Sequence, residues 1–413
     1  MRRARSLLLI ACLALSGLSV MAPLPVLARA HTAHARPAKP AHTAPAAPLP
    51  DVQLPALLVD MHTGDVLYEA NAGKPWHPAS LTKLMTAYVT FQAIAQGRVT
   101  LDTKVVMSAK AVSQAPASSG LPRGDSLTLR DALYIMLVKS ANDMAVAVAE
   151  AVDGSTDAFA AEMNATAAKL GLVRTHYDNV NGLPDDGQVT TARDLAVLAI
   201  DLRRTFSQYD AIYQTQRVTI GKVVLKASND MLGKFEGTTG MKTGFICAAG
   251  LNIVATVKRG NRELMAVILG GSSARERDQL AAQLLLRGFA GEYQDKNKNV
   301  VEIVDDTTSP PMDMKPLLCG AQAKAYVAAR LKAFPFGLKG QPSYLTDEVD
   351  GPTYAAADFG VPGAAPAIVT PTDEPAEGDT SAQDDSEAPV PAAAPSRPGQ
   401  PAVVVPQPRL RRK

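Results

Sequence analysis

The stretch LNIVATVKRGNRELMAVILG, residues 251–270, contains two β-branched runs, Leu251 to Val257 and Leu264 to Gly270, separated by Lys258-Arg259-Gly260-Asn261. That is the composition of a β-hairpin. Directly after it, Glu276 to Phe289 places Leu280, Leu284, Leu285 and Phe289 on one helical face. Working outward, Leu54 to Val59 and Val66 to Glu69 flank the turn His62-Thr63-Gly64-Asp65 and read as another hairpin, Gly64 supplying positive φ. Between these ends the apolar spacing is helical. Leu81, Leu84, Met85, Tyr88, Val89 and Gln92 predict a helix starting near Ser80 and stopping at Gly97, and Leu129 to Val138, Ala141 to Val152 and Phe159 to Leu170 predict a helical cluster. Strands at both ends with helices between predict an α+β domain over about residues 51–292, whose terminal segments share one antiparallel sheet flanked by helices, with a helical subdomain inserted.

Outside that domain the composition changes. Met-Arg-Arg-Ala-Arg, the apolar run Leu7 to Val26 and the small-residue pattern Ala28-Arg29-Ala30 read as a signal peptide over residues 1–30, which implies export to the periplasm. Pro23 and Pro25 break the run before it reaches a bilayer span, which argues against an uncleaved anchor. Leu9-Ile10-Ala11-Cys12 has the look of a lipidation site, but too few apolar residues precede it, so a lipid anchor through Cys12 is the minor reading. Residues 31–50 are Ala, Pro and His without a period and suit a tether. Residues 293–355 have mixed composition, one short helix at Ala321 to Leu331 and no assignable fold, and residues 356–413 are a Pro, Ala and acidic tail too poor in apolar side chains to order itself. Its basic tip, Arg409 to Lys413, reads as solvated, and membrane contact is unsupported. With 20% charged residues and a net charge of +2 among 413 residues, no broad basic field points to nucleic acid. Once a leader is removed, Cys247 and Cys319 remain, and export makes a disulfide and two buried thiols equally reasonable.

Three short motifs carry the chemistry: Ser80-Leu81-Thr82-Lys83, Ser140-Ala141-Asn142 and Lys242-Thr243-Gly244. Each is weak alone, and a capping serine, a solvated lysine and a turn before a strand explain them singly. Their order and settings make them strong together: the serine opens a helix, the second motif sits between helices, and the third precedes a strand. Ser80 and Lys83, three apart on a helix, share a face. A serine hydroxyl is a weak nucleophile unless a base takes its proton, and a lysine does so when burial and a neighbouring cation such as Lys242 depress its pKa. Free N–H groups at the helix start favour the negative charge of acyl transfer. Ser140 can relay a proton to the leaving amine, Asn142 can hold the substrate amide or Lys83, and Arg277 can grip a terminal carboxylate. His31, His34 and His42 fall in the tether, His62 in a turn, and His77 has no partner pattern, so a Ser-His-Asp triad is not indicated. No His or Cys cluster has metal-ligand spacing, and no cofactor is expected.

With Pro78-Ala79-Ser80-Leu81-Thr82-Lys83, Asn181-Gly182-Leu183, Thr191-Ala192-Arg193-Asp194 and Gly270-Gly271 added, the chain resembles the low-molecular-mass penicillin-binding proteins, the D-alanyl-D-alanine carboxypeptidases of serine peptidase type S11, from about Pro55 to Phe289. The resemblance implies a β-lactamase/DD-peptidase-like fold. It implies an acyl-enzyme at Ser80 made from peptidoglycan stem pentapeptides, stable acylation by β-lactam antibiotics, and an oxyanion hole from the N–H groups of Ser80 and Phe245. Ser118 and Ser119 match a small loop near the mouth of that family's site. The chain departs from the pattern where Ile246 replaces a threonine, and where residues 293–355 are short for a β-rich second domain and no amphipathic anchor helix is seen. Two other readings stay open. A class A-like β-lactamase needs a deacylating carboxylate, for which only Asp185 or Asp186 offers itself, and a catalytically idle peptide-binding protein is opposed by intact Ser80, Lys83 and Lys242.

Overall fold

The computed structural model describes residues 52–293 and 297–356 and the backbone of Ile368–Val369. The expected leader, tether and, apart from that last pair and Ala356, the tail lie outside the described residues. In chain order, β1 (Ala56–Asp60) and β2 (Val66–Ala70) are followed by α1 (Thr82–Ala95), β3 (Lys104–Val106), α2 (Ala109–Val112), β4 (Ser126–Thr128), α3 (Leu129–Val138), α4 (Asn142–Asp153) and α5 (Thr156–Lys169). Next come α6 (Ala192–Thr205), α7 (Asp210–Gln214), β5 (Arg217–Ile220), β6 (Val223–Lys226) and α8 (Met231–Lys234). The chain then returns as β7 (Thr238–Ile246), β8 (Gly250–Arg259), β9 (Arg262–Gly271) and α9 (Ala274–Phe289). Beyond them lie α10 (Lys315–Leu318), α11 (Ala323–Ala333), β10 (Thr353–Ala356) and β11 (Ile368–Val369).

The main sheet runs β2-β1-β9-β8-β7, antiparallel throughout, so the N-terminal hairpin docks on the C-terminal one through β1 and β9, with Leu58 opposite Ala266. Successive side chains of a strand face opposite ways, and here both faces are covered. Leu58, Ile253, Ala255, Leu264, Ala266 and Ile268 pack with Ala281, Ala282, Leu284 and Leu285 of α9. Their neighbours Leu57, Val59, Val254, Met265 and Val267 join the larger core of α1, α3, α4 and α6. Burial on both faces explains why residues 264–269 read as an unbroken apolar run rather than an alternating one.

Hydroxyl caps set the helix starts: Thr128, Ser155, Thr191 and Ser273 accept the N–H of Asp131, Ala158, Asp194 and Glu276. Each such cap contributes about 1 kcal/mol. Among the described residues no helix is long and apolar enough to cross a membrane.

Residues 297–356 form no second domain but a strap wound over the first. Lys298 and Val300 pair with Val66 and Gly64, Asp305 accepts from Thr191 at 2.7 Å, and Arg174 donates to the carbonyls of Asp306 and Ser309. Farther on, Cys319 is disulfide-bonded to Cys247, Arg330 pairs with the buried Glu276 at 2.6 Å, β10 adds in parallel to β5, and Tyr354 donates to Asp131. The sequence of this stretch shows no fold because its apolar side chains are too sparse for a core of their own. Of α11 only Tyr326 is buried.

The bridge decides the question left open by composition. In the chain-entropy view, a crosslink across a separation of 72 residues stabilises by roughly 4 kcal/mol. Cys319→Ala is therefore expected to unfold at markedly lower denaturant than the oxidised wild type, and reductant is expected to move the wild type to the same midpoint. Coincident unfolding curves with and without reductant would rule out that contribution.

Candidate active site

Ser80 lies in a single 3₁₀ turn, Ala79–Leu81, that leads into α1, so the expected helix begins two residues after the serine. Its setting is held from two sides. Asn252, fully buried in β8, donates from Nδ2 to the carbonyls of His77 and Pro78 at 3.0 and 3.3 Å and accepts the Gly270 N–H at 2.9 Å. Gly244 of β7 approaches so closely that a Cβ there would lie 2.9 Å from the Ser80 nitrogen. Ala79 and Ser140 hold φ values of +48° and +68°, a conformation non-glycine residues adopt rarely and mostly where surrounding structure enforces it.

One turn along, Lys83 is completely buried. Its Nζ donates to Asn142 Oδ1 and to the Asn181 carbonyl, both at 2.7 Å, and lies 2.9 Å from Ser80 Oγ. Burial first, then the charge of Lys242, lowers its pKa well below that of a free lysine, with Asp143 pulling the other way. Lys242, also buried, donates to Ser140 Oγ and the Thr243 carbonyl, each at 2.8 Å. Burial and, secondarily, Arg277 push its pKa down to about 7. Ser80, Lys83, Ser140, Asn142 and Lys242 therefore form one constellation, drawn from the 3₁₀ turn and α1, from the α3–α4 turn and the start of α4, and from β7.

The remaining expected residues divide. Lys242-Thr243-Gly244 lies inside β7 rather than ahead of a strand, paired to Val254, Ile253 and Asn252 of β8. Lysine and glycine are poor strand formers, so only the pairing with the apolar β8 reveals this edge. Phe245 follows in the same strand, half-buried. The Thr243 hydroxyl is taken up by Ser228, donating to its carbonyl and its Oγ. Arg277 is buried near Lys242, but its fork is already engaged, Nε and Nη2 donating to the two oxygens of Asp278 at 2.7 and 3.1 Å. Asp185 and Asp186 are exposed, and Asp185 hydrogen-bonds Asp178 beside His176. Ser119 is buried and Ser118 exposed.

Sequence reasoning did not single out Asn252 as a site residue, nor Gln188, whose Nε2 donates to Thr82 Oγ1 at 3.1 Å under Ser80. A buried amide in an otherwise apolar strand, such as the Asn of Leu251-Asn252-Ile253, was the available signal.

A family model described as D-alanyl-D-alanine carboxypeptidase, of the S11 peptidases, matches residues 44–273. The chain belongs to this family. Among curated S11 relatives, D-alanyl-D-alanine carboxypeptidase DacF of Bacillus subtilis is 29% identical over 277 residues, covering 63% of this chain and 71% of that protein. D-alanyl-D-alanine carboxypeptidase DacC of Escherichia coli is 36% identical over 240 residues, covering 56% of this chain and 60% of that protein. The chain thus spans about three fifths of the length of the E. coli relative. The crystal structure of penicillin-binding protein D2 from Listeria monocytogenes in its ampicillin-bound form superposes with a TM-score of 0.53 at 32% identity, covering 57% of this chain and 96% of that one. The fold is accordingly that of the DD-peptidases.

Proposed function

We propose that this protein is a serine-type D-Ala-D-Ala carboxypeptidase of the periplasm that removes the terminal D-alanine from peptidoglycan stem pentapeptides through an acyl-enzyme on Ser80, and that β-lactams acylate the same serine. The observation that carries the proposal is the hydrogen bonding of Lys83. As a neutral amine it has two N–H bonds and one lone pair; the N–H bonds are spent on Asn142 and Asn181, and the lone pair is left toward Ser80 Oγ. That is the arrangement of a general base, and the lowered pKa supplies the neutral form.

In this reading Ser80 Oγ attacks the carbonyl carbon of the penultimate D-alanine and its proton passes to Lys83 Nζ. The oxyanion meets the N–H groups of Ser80 and Phe245. As the C–N bond breaks, the proton taken up by Lys83 is relayed through Ser140, which Lys242 Nζ holds, to the leaving amine, and Lys83 is neutral again. Water then attacks the ester carbon, giving a proton to the again-neutral Lys83, which passes it to Ser80 Oγ as the acyl C–O bond breaks. Asn142 fixes Lys83, Gly244 keeps β7 close to Ser80, and Lys242, Arg277 and Thr243, its hydroxyl turning from Ser228, meet the substrate's carboxylate. The Cys247–Cys319 bridge supports an oxidising compartment and hence an exported chain. The relationship to a protein crystallised with ampicillin supports the β-lactam half.

The β-lactamase alternative is disfavoured because Asp185 is turned to Asp178 and Asp186 is exposed, so neither carboxylate is aimed at the Ser80–Lys83 pair. Fluorescent penicillin should label the wild type once per chain and Ser80→Ala not at all, and D-alanine should be released from a synthetic pentapeptide ending in D-Ala-D-Ala. Rapid nitrocefin turnover without an accumulating adduct would favour the β-lactamase, and an unlabelled wild type would refute the enzyme altogether.

A further inference from the structure

Asp143, the second residue of α4, is 2% exposed. Its Oδ2 accepts both the N–H and the hydroxyl of Ser119, at 2.8 and 2.6 Å, and its Oδ1 accepts the Met144 N–H at 2.8 Å. Its neighbour Asn142 donates its own N–H to the Ala117 carbonyl at 2.7 Å while its side chain holds Lys83. Asn181, the other residue holding Lys83, donates from Nδ2 to Gln114 Oε1 at 2.9 Å. The segment 114–119 is thus fastened by the same short stretches that orient the lysine.

The charges facing this centre are few. Lys83 meets Lys242 from β7 and Asp143 from α4; Lys242 meets Arg277 from α9, which is itself paired with Asp278. Among the described residues, Asp143 is therefore the carboxylate that opposes the charge of Lys83, and it sits in the first turn of a helix, where the dipole favours an anion.

We propose that Asp143 is a positioning residue with two linked tasks: it anchors the 114–119 segment beside the nucleophile through Ser119, and it balances the positive charge that Lys83 acquires when it takes the Ser80 proton. The second task rests on the acyl-enzyme reading above. Asp143→Asn keeps the shape and an acceptor for Ser119 but removes the charge. Its acylation rate by fluorescent penicillin, followed against pH, should have an acid limb displaced by about one unit to lower pH, because the Lys83 ammonium loses its opposing anion, with a plateau roughly tenfold lower from the weaker base. Ser119→Ala keeps the charge and the N–H bond to Asp143 but loses the hydroxyl half of the anchor, so the plateau should fall with the limb in place.

A fall in the Asp143→Asn plateau with no movement of the limb would overturn the charge-balancing task, and an unchanged Ser119→Ala rate would overturn anchoring through the Ser119 hydroxyl. Asp143→Ser, which also drops the charge but keeps a hydroxyl, serves if the asparagine variant does not fold. Failure of both to fold would leave a structural anchor alone and overturn the charge-balancing task. Titrating Lys83 Nζ by ¹⁵N NMR in wild type and variant reads the same displacement without any acylation. A displaced titration in a protein that penicillin never labels would sink the enzyme reading and leave Asp143's electrostatic role standing.

Discussion

Lys83→Met is expected to slow acylation of Ser80 by about a thousandfold, within the range by which a positioned base accelerates proton transfer, while the protein stays folded. Methionine fills nearly the same volume in the same buried slot, so the loss is chemical rather than steric. Stability argues the same way. Lys83 binds its proton more weakly folded than unfolded, so its burial opposes folding at neutral pH, and that penalty fades as pH rises toward the unfolded lysine value of 10.5. Removing the amine relieves the penalty but leaves Asn142 Oδ1 and the Asn181 carbonyl without their donor, at about 1–3 kcal/mol each. The two effects oppose, and the thermal midpoint at pH 7 should move little compared with the activity. A methionine variant that acylates at the wild-type rate would remove Lys83 from the mechanism, and one that is unfolded by circular dichroism would show that the residue serves the fold.

Gly182→Ala should be damaging for a reason legible only in three dimensions. Gly182 has φ +88°, and a Cβ there would fall 1.9 Å from the Ala79 carbonyl oxygen and 2.9 Å from the Ser80 nitrogen. Both obstacles are backbone, so no side-chain rotation relieves them, and the turn that presents Ser80 must shift. Backbone strain and overpacking of this kind cost about 2–4 kcal/mol. A displacement of the nucleophile on the order of 1 Å costs roughly a hundredfold in rate. Denaturant unfolding and penicillin acylation of the variant measure the two separately. Wild-type values in both would show that the 179–183 turn can retreat without disturbing Ser80.

Much of the frame was readable from local pattern. Residues 129–138 carry a helical apolar period and form α3 at the same bounds, and the runs 251–257 and 264–270 lie within β8 and β9. The stretch 192–205, which follows Thr191 of the Thr191-Ala192-Arg193-Asp194 motif, forms α6. Its Arg193 and Asp194 are buried and paired with each other, while Leu195, Leu198, Ala199 and Leu202 carry the helical apolar spacing. β7 is not legible in the sequence because its residues take their strand state from β8, and the engagement of the Arg277 fork is not legible because nothing in sequence shows that Asp278, one residue on, turns back to meet it.

The sequence by itself determined which groups are candidates for the chemistry: a hydroxyl and an amine one helical turn apart must share a face, and alternating or helical apolar spacing dictates which side of each element is buried. Only the tertiary structure decided how those groups are arranged, namely the placing of Lys83 Nζ between Ser80, Asn142 and Asn181, the bridge between Cys247 and Cys319, the path of residues 297–356, and the close approach of Gly182 and Gly244 to Ser80. These depend on contacts between segments far apart in the chain. Local periodicity carries no information about such distances, and hydrogen bonding and burial are settled only when the segments meet.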